Sequence, residues 1–149
     1  MRALVLVGVI GSGKTTLAES LPAHRIDFDH EWHVEAQQAH GAPHDAVCAM
    51  AERARAAGGD VVLDGWWTWE PEWWLTDDDD TLQHFSDLVP HEVRVCHLAM
   101  RTGDALTAFQ RKHGTGQYQG SILDDVDAYA ESLPARQDYL AWKVAQWAR

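Results

Sequence analysis

Cysteine is scarce in this chain: Cys48 and Cys96 are the two thiols in 149 residues. Two thiols cannot build the disulfide lattice of a small secreted domain, and that class is set aside. Positive charge is also thin, with 12 basic against 23 acidic residues and a formal charge of −11. Such a balance opposes general binding to nucleic acid or to anionic membranes, which draws on clustered lysine and arginine. No apolar run approaches the roughly 20 residues that cross a bilayer. The apolar start from Leu4 to Ile10 is short, and a glycine-rich turn stands where a signal-peptide cleavage site would fall. Repeats and low-complexity linkers are missing. What remains is ordinary: 46% apolar and 23% charged residues, in a length that suits one domain, 1–149, with a real core. A cytoplasmic protein is expected, monomeric or homodimeric, with no membrane contact and no nucleic-acid partner.

Against that plain background one stretch is specific. Gly8-Val9-Ile10-Gly11-Ser12-Gly13-Lys14-Thr15 fits G-x-x-x-x-G-K-[ST] at every required position, the phosphate-binding P-loop pattern. Its flanks agree. Ala3 to Val7 reads as a buried strand, and Thr16 to Leu21 as a helix stopped by Pro22. Glycines let the backbone turn tightly and aim successive N–H groups at an anion. The motif therefore predicts a nucleoside triphosphate site built from Gly8, Gly11, Ser12, Gly13, Lys14, Thr15 and Thr16. Lys14 is expected on the outer phosphates, and the Thr15 hydroxyl on Mg²⁺.

Downstream, His24 to Asp29 is a brief strand candidate ending in alternating acids, and Glu31 to Ala39 a helix candidate. Pro43 is placed to open a helix whose apolar residues Val47, Met50, Ala51 and Ala54 recur at i, i+3, i+4 and i+7, with Gly58-Gly59 ending it. Val61-Val62-Leu63-Asp64 reads as a strand buried on both faces, as a parallel sheet demands. Leu82, Phe85, Leu88 and Val89 mark a helix closed by Pro90, and Val93 to Leu98 a fourth strand. Leu106 and Phe109 mark a helix running into Arg111-Lys112-His113, then a glycine-containing loop to Gly120. Ser121 to Asp124 resembles a capping box opening a helix with Ile122, Val126, Tyr129 and Leu133 on one stripe. Pro134 is expected to separate that helix from a last one carrying Leu140, Val144 and Trp147. Alternation of strand and helix four times predicts an α/β fold, a short parallel sheet of four strands between helical layers. Ligands of such sheets bind beyond the carboxyl ends of the strands, which gathers the P-loop, Asp27, Asp29, Asp64 and the segment after Leu98 around one crevice.

Phosphoryl transfer needs positioning, charge neutralisation and a carboxylate for the attacking hydroxyl. Asp27 and Asp29 flank Phe28, so in a strand both carboxylates share a face. One is suited to Mg²⁺ through water, the other to the acceptor hydroxyl. Asp64, after three apolar residues, stands where a Walker B aspartate holds Mg²⁺; a plain Asp-Gly turn is the alternative. Arg111 beside a glycine loop suits a lid that brings an arginine to the phosphoryl group, or a solvated helix end. Five tryptophans crowd into 66–74, namely Trp66, Trp67, Trp69, Trp73 and Trp74. Core, substrate wall and partner patch are all open to such a cluster, with Trp66 or Trp67 favoured as an acceptor wall because they follow Asp64. His30-Glu31-Trp32-His33, near His40, His44 and Cys48, lacks a second ligand pair at finger spacing, so zinc is not expected.

With these residues in place, the chain resembles the small P-loop kinases, the group of shikimate, gluconate and adenylylsulfate kinases, and is similar to chloramphenicol phosphotransferase and polynucleotide kinases. The resemblance runs over nearly the whole chain as order and spacing, with Gly8 to Thr15 as its specific motif. It implies ATP and Mg²⁺ as ligands. By position, Asp29 resembles the acid that contacts the acceptor hydroxyl, Asp27 the metal-side acid, and Arg111 the lid arginine. A fifth strand and a second lid arginine, present in many members, are not legible here. The expected function is ATP-dependent transfer of a phosphoryl group to a small-molecule hydroxyl, with an antibiotic-like or nucleoside-like acceptor. A polynucleotide 5′-hydroxyl kinase and a nucleotide-dependent regulatory switch that binds a protein are the alternatives.

Overall fold

The structure, a computed structural model, describes residues 1–27, 43–64, 81–116, 119–120 and 124–147, with the side chains of 43–46 and 81 left aside. Four strands form one parallel sheet in the order β2-β3-β1-β4. They are β1 (Arg2–Val7), β2 (His24–Asp27), β3 (Val61–Asp64) and β4 (Glu92–His97). Among the described residues the helices are α1 (Lys14–Ser20), α2 (Pro43–Ala57), α3 (Thr81–Leu88), α4 (Thr102–His113) and α5 (Val126–Trp147). The expected α/β sandwich with a short parallel sheet is what forms.

Side-chain alternation along the strands sorts the core into two layers. Ala3, Val5 and Val7 of β1, Ile26 of β2 and Val61 and Leu63 of β3 join residues of α2 to α5 in the larger cluster. Leu4 and Leu6 of β1 and Val62 of β3 turn the other way, onto Leu17 and Ala18 of α1. β3 has neighbours on both sides and both faces, and all four of its residues are buried. The helix stripe read from Val47, Met50, Ala51 and Ala54 is buried along its whole length. Gly58 leaves α2 at φ +66°, the left-handed conformation that ends helices.

Strand ends shift by one residue, β1 beginning at Arg2 and β4 spanning Glu92–His97, and three helix boundaries differ from the sequence reading. α1 begins at Lys14, not Thr16, because the left-handed Gly13 is its cap and the Gly13 carbonyl already accepts from Leu17 at 2.9 Å. The cap of α5 is Asp125, whose Oδ1 accepts the Ala128 N–H at 3.0 Å; Asp124 instead receives Gly120 N–H and His113. Ser121 to Leu123 lie outside the described residues. Pro134 does not divide the C-terminal segment: α5 runs unbroken from Val126 to Trp147 with the proline inside. An interior proline costs about 3 kcal/mol. Tyr129, Leu133 and Leu140 on either side of it are buried in the larger cluster, and each such burial contributes about 1.5–3 kcal/mol. Packing on both halves outweighs one lost bond.

Candidate functional site

Parity in the strands decides what meets at the sheet's carboxyl end. Ile26 and Leu63 pair in register and face the large core, so their neighbours Asp27 and Asp64, also paired, face α1. Arg25 has the same parity as Asp27 and lies on that face too. Lys14 and Thr15, the first residues of α1, complete the group.

The phosphate loop itself is tightly tied. Ser12 N–H donates to the Val9 carbonyl at 3.1 Å. Lys14 Nζ folds back to donate to the carbonyls of Gly8 at 2.8 Å and Val9 at 2.9 Å, and approaches Ser12 Oγ at 3.3 Å. Gly8 is required by space: a Cβ there would stand 2.5 Å from Ser12 Oγ and 2.9 Å from the Leu98 carbonyl. Gly11 is required twice, by φ +80° and by Ala108 of α4, whose Cβ would be 2.4 Å from a new side chain. Gly11 thus lets α4 rest directly on the loop. Thr15 and Thr16 are exposed at its mouth.

Asp64 is the buried charge of the site, with a side-chain exposure of 2%. Thr15 Oγ1 donates to its Oδ2 at 2.9 Å. Arg25 grips the same carboxylate with two bonds, Nε to Oδ1 at 2.9 Å and Nη2 to Oδ2 at 3.0 Å. Nη2 also reaches Asp27 Oδ2 at 3.3 Å, and Glu19 lies 3.7 Å from Nη1. The hydrogen bonds from Arg25 to Asp64 raise the guanidinium pKa above its ordinary value. A buried carboxylate needs such partners, since an unpaired one is strongly destabilising.

The donors facing α1 are a hydroxyl and two carboxylates, all hard oxygen ligands of the kind Mg²⁺ takes. Among the described residues no group of three His, Cys, Asp or Glu converges to hold a metal by itself. Mg²⁺ is commonly bound by one or two carboxylates together with substrate phosphates. Thr15, Asp64 and Asp27 are the residues that would hold it.

Arg111 lies on α4 near this end. Ala108 touches the loop, and Arg111 is one turn further on, roughly 300° around the helix and so near the same face. Phe109 points the other way, buried and stacked on Tyr129 of α5 with ring centroids 3.9 Å apart. Arg111 itself is exposed. Beyond it, His113 Nε2 meets the Asp124 carbonyl at 2.8 Å and Oδ1 at 3.1 Å, which closes the loop between α4 and α5. At the end of β4, beside Val7, burial holds the His97 pKa below its ordinary value.

Asp29, Trp66 and Trp67 lie outside the described residues, as do Trp69, Trp73 and Trp74 of the cluster and His30, His33 and His40 of the rejected zinc pattern. Cys48 is a free thiol beside His84, 3.8 Å from Nε2. Arg25 was missed from sequence. Its signal was there: it precedes Asp27 by two and so shares its strand face, but nothing in the sequence pairs it with a residue 39 positions away.

Neither a family model nor a curated protein matches the chain. Solved structures do. A protein of Chloroflexus aurantiacus J-10-fl described as a candidate kinase is 14% identical, with a TM-score of 0.61 over 89% of this chain and 77% of that one. Shikimate kinase from Acinetobacter baumannii, solved with shikimate, is 18% identical, with a TM-score of 0.58 over 97% of this chain and 80% of that one. The fold is that of the small P-loop kinases. At these identities the likeness is one of architecture.

Proposed function

We propose that this chain is an ATP-dependent phosphotransferase that moves the γ-phosphoryl group to a hydroxyl of a small molecule. The observation that carries the reading is the Thr15–Asp64 hydrogen bond of 2.9 Å at the end of an intact phosphate loop, on this fold. It brings together the loop hydroxyl and the strand-end carboxylate that would share a Mg²⁺ ion.

Each residue has a role in that reaction. The loop N–H groups cradle the phosphates, and Lys14 turns from the Gly8 and Val9 carbonyls to the β- and γ-oxygens. Thr15, Asp64 and Asp27 would hold Mg²⁺, which would neutralise phosphate charge there. Asp29 takes the proton of the acceptor hydroxyl as its oxygen bonds to γ-phosphorus and the β–γ bridge breaks. ADP leaves with the bridging oxygen. Arg111, carried on the helix that rests on the loop, stabilises the charge spread over the transferring group. Trp66 and Trp67 form an apolar wall for the acceptor, which favours an antibiotic-like or nucleoside-like compound over a small sugar acid. The formal charge of −11 speaks against an oligonucleotide acceptor.

The test incubates the protein with ATP and Mg²⁺ against hydroxyl compounds that include antibiotics, nucleosides and 5′-OH oligonucleotides. A mass gain of about 80 Da, one phosphoryl group, in a small molecule is the expected result. Gain confined to oligonucleotides, with steep salt dependence, would replace it with the polynucleotide reading. ATP hydrolysis with no phosphorylated product in any class would make it a switch.

A further inference from the structure

Arg25 is unusual in the company it keeps. Two hydrogen bonds hold both oxygens of Asp64, and a third contact reaches Asp27, so one guanidinium spans the two carboxylates assigned to Mg²⁺. The fork geometry of arginine suits this; an ammonium would satisfy one oxygen at a time. Asp64 Oδ2 accepts from Thr15 as well, so the hydroxyl, the buried carboxylate and the guanidinium form one connected network. The Arg25 side chain is 30% exposed, whereas that of Asp64 is 2% exposed. The arginine is thus the more solvent-accessible partner of a buried carboxylate.

From this geometry we infer that Arg25 is a positioning residue that holds the place of the divalent cation until nucleotide arrives. The inference rests on the phosphotransferase reading for its metal ligands. Asp27 and Asp64 against one guanidinium leave one negative charge on the two proposed ligands, and Glu19, 3.7 Å from Nη1, adds a further acid at the edge of the group. An incoming ion must also displace or sit beside a cation already bonded to its ligands. Free Mg²⁺ therefore binds poorly. A nucleotide brings phosphate charges that tip the balance, so metal and triphosphate enter together. Meanwhile Asp64 never stands unpaired in the interior, and the Thr15 hydroxyl stays aimed at it.

A purely structural ion pair makes a different forecast. Its removal weakens the fold and leaves metal affinity unimproved. The test measures Mn²⁺ binding to the full chain by loss of the free-ion resonance signal, with and without ATP, for wild type, Arg25→Gln and Arg25→Lys. Without nucleotide, Arg25→Gln is expected to bind Mn²⁺ at least about tenfold more tightly than wild type, because a full unit charge has left a partly buried site. Arg25→Lys, which keeps the charge but loses the fork, is expected between the two. Mg²⁺ should raise the Tm of Arg25→Gln far more than that of wild type, by the mass-action stabilisation of a ligand that binds only the folded state. If Arg25→Gln is unfolded as isolated, refolding by Mg²⁺ but not by NaCl of equal ionic strength supports the inference. Equal Mn²⁺ affinity in wild type and Arg25→Lys, with no Mg²⁺-specific rescue of Arg25→Gln, overturns it. In that event Mn²⁺ bound only with ATP, equally by wild type and Arg25→Lys, leaves the phosphotransferase reading standing. No Mn²⁺ bound by any chain, with or without ATP, overturns both.

Discussion

The phosphate loop and the end of α4 are neighbours in the fold and opposites in construction. The loop is over-determined: Lys14 is tied to two carbonyls, Gly8 is hemmed in by Ser12 and the Leu98 carbonyl, and Gly11 is pressed against Ala108. The end of α4 presents Arg111 and Lys112 to solvent, held in place by the helix and by the Phe109–Tyr129 stack behind it. The loop backbone, which the proposed function places around phosphate, is packed rigid at Gly8 and Gly11, while the Lys14 side chain would exchange its carbonyl partners for phosphate. Arg111, which the proposed function would bring to and from the transferring group, stands exposed on a packed helix.

The sharpest way to break that contrast is Lys14→Ala. Turnover should fall to background, since the charge on the outer phosphates is lost, while stability drops by only about 1 kcal/mol for bonds to carbonyls that are partly buried. Steady-state ATP consumption and a denaturant melt measure the two arms; wild-type turnover in this variant would sink the loop assignment.

Arg111→Ala comes next. Arginines at the transferring group contribute about 10³–10⁵ in rate in P-loop enzymes, so a loss of kcat near 10³ is expected with Tm unmoved. If instead kcat holds and only KM for ATP rises, Arg111 is a binding residue and the mobile-group picture needs replacing.

Gly11→Ala tests the rigid side. A left-handed φ costs a substituted residue about 1–2 kcal/mol, and the overlap with Ala108 adds about 1–3 kcal/mol of overpacking. Loss of about 2–5 kcal/mol in a urea titration is the expected outcome, and a wild-type midpoint would contradict the contact.

The smallest effect belongs to Asp124→Asn, at the exposed tie between α4 and α5. Global Tm should barely move. The Gly120 N–H chiefly, then His113, hold the Asp124 pKa below its ordinary value. A lowered folded-state carboxylate pKa stabilises above the unfolded value and fades as pH falls through the folded one. Hydrogen-exchange protection at Gly120 should accordingly be higher in wild type than in the variant near neutral pH. The difference should vanish on acidification below the usual carboxylate range. A pH-independent difference would mean the tie is steric.

Much of this was legible in the residues alone, for reasons that are local. The P-loop needs glycine where backbone meets backbone or turns left-handed, so Gly8, Gly11 and Gly13 mark it directly. The period of Val47, Met50, Ala51 and Ala54 marks a helix that must bury one stripe, and Val61 to Leu63 a strand that must be covered twice. Local signals also misled. Pro134 looks like a helix break because its cost is counted within the helix, whereas the offsetting burial of Tyr129, Leu133 and Leu140 comes from the sheet and α4. Capping was assigned to Ser121 by spacing, but Asp125 has the geometry.

By itself the chain's order of residues determined the phosphate loop, the parallel α/β architecture and the position of Asp27 and Asp64 at the carboxyl ends of their strands, because each depends on spacing along a single element. Tertiary structure alone decided which distant groups meet there. Arg25 reaches Asp64 only because β2 pairs with β3, and Thr15 reaches it only because α1 packs across β3. Charge pairing across a sheet depends on strand order and register, which set distances between elements that no spacing within one element encodes.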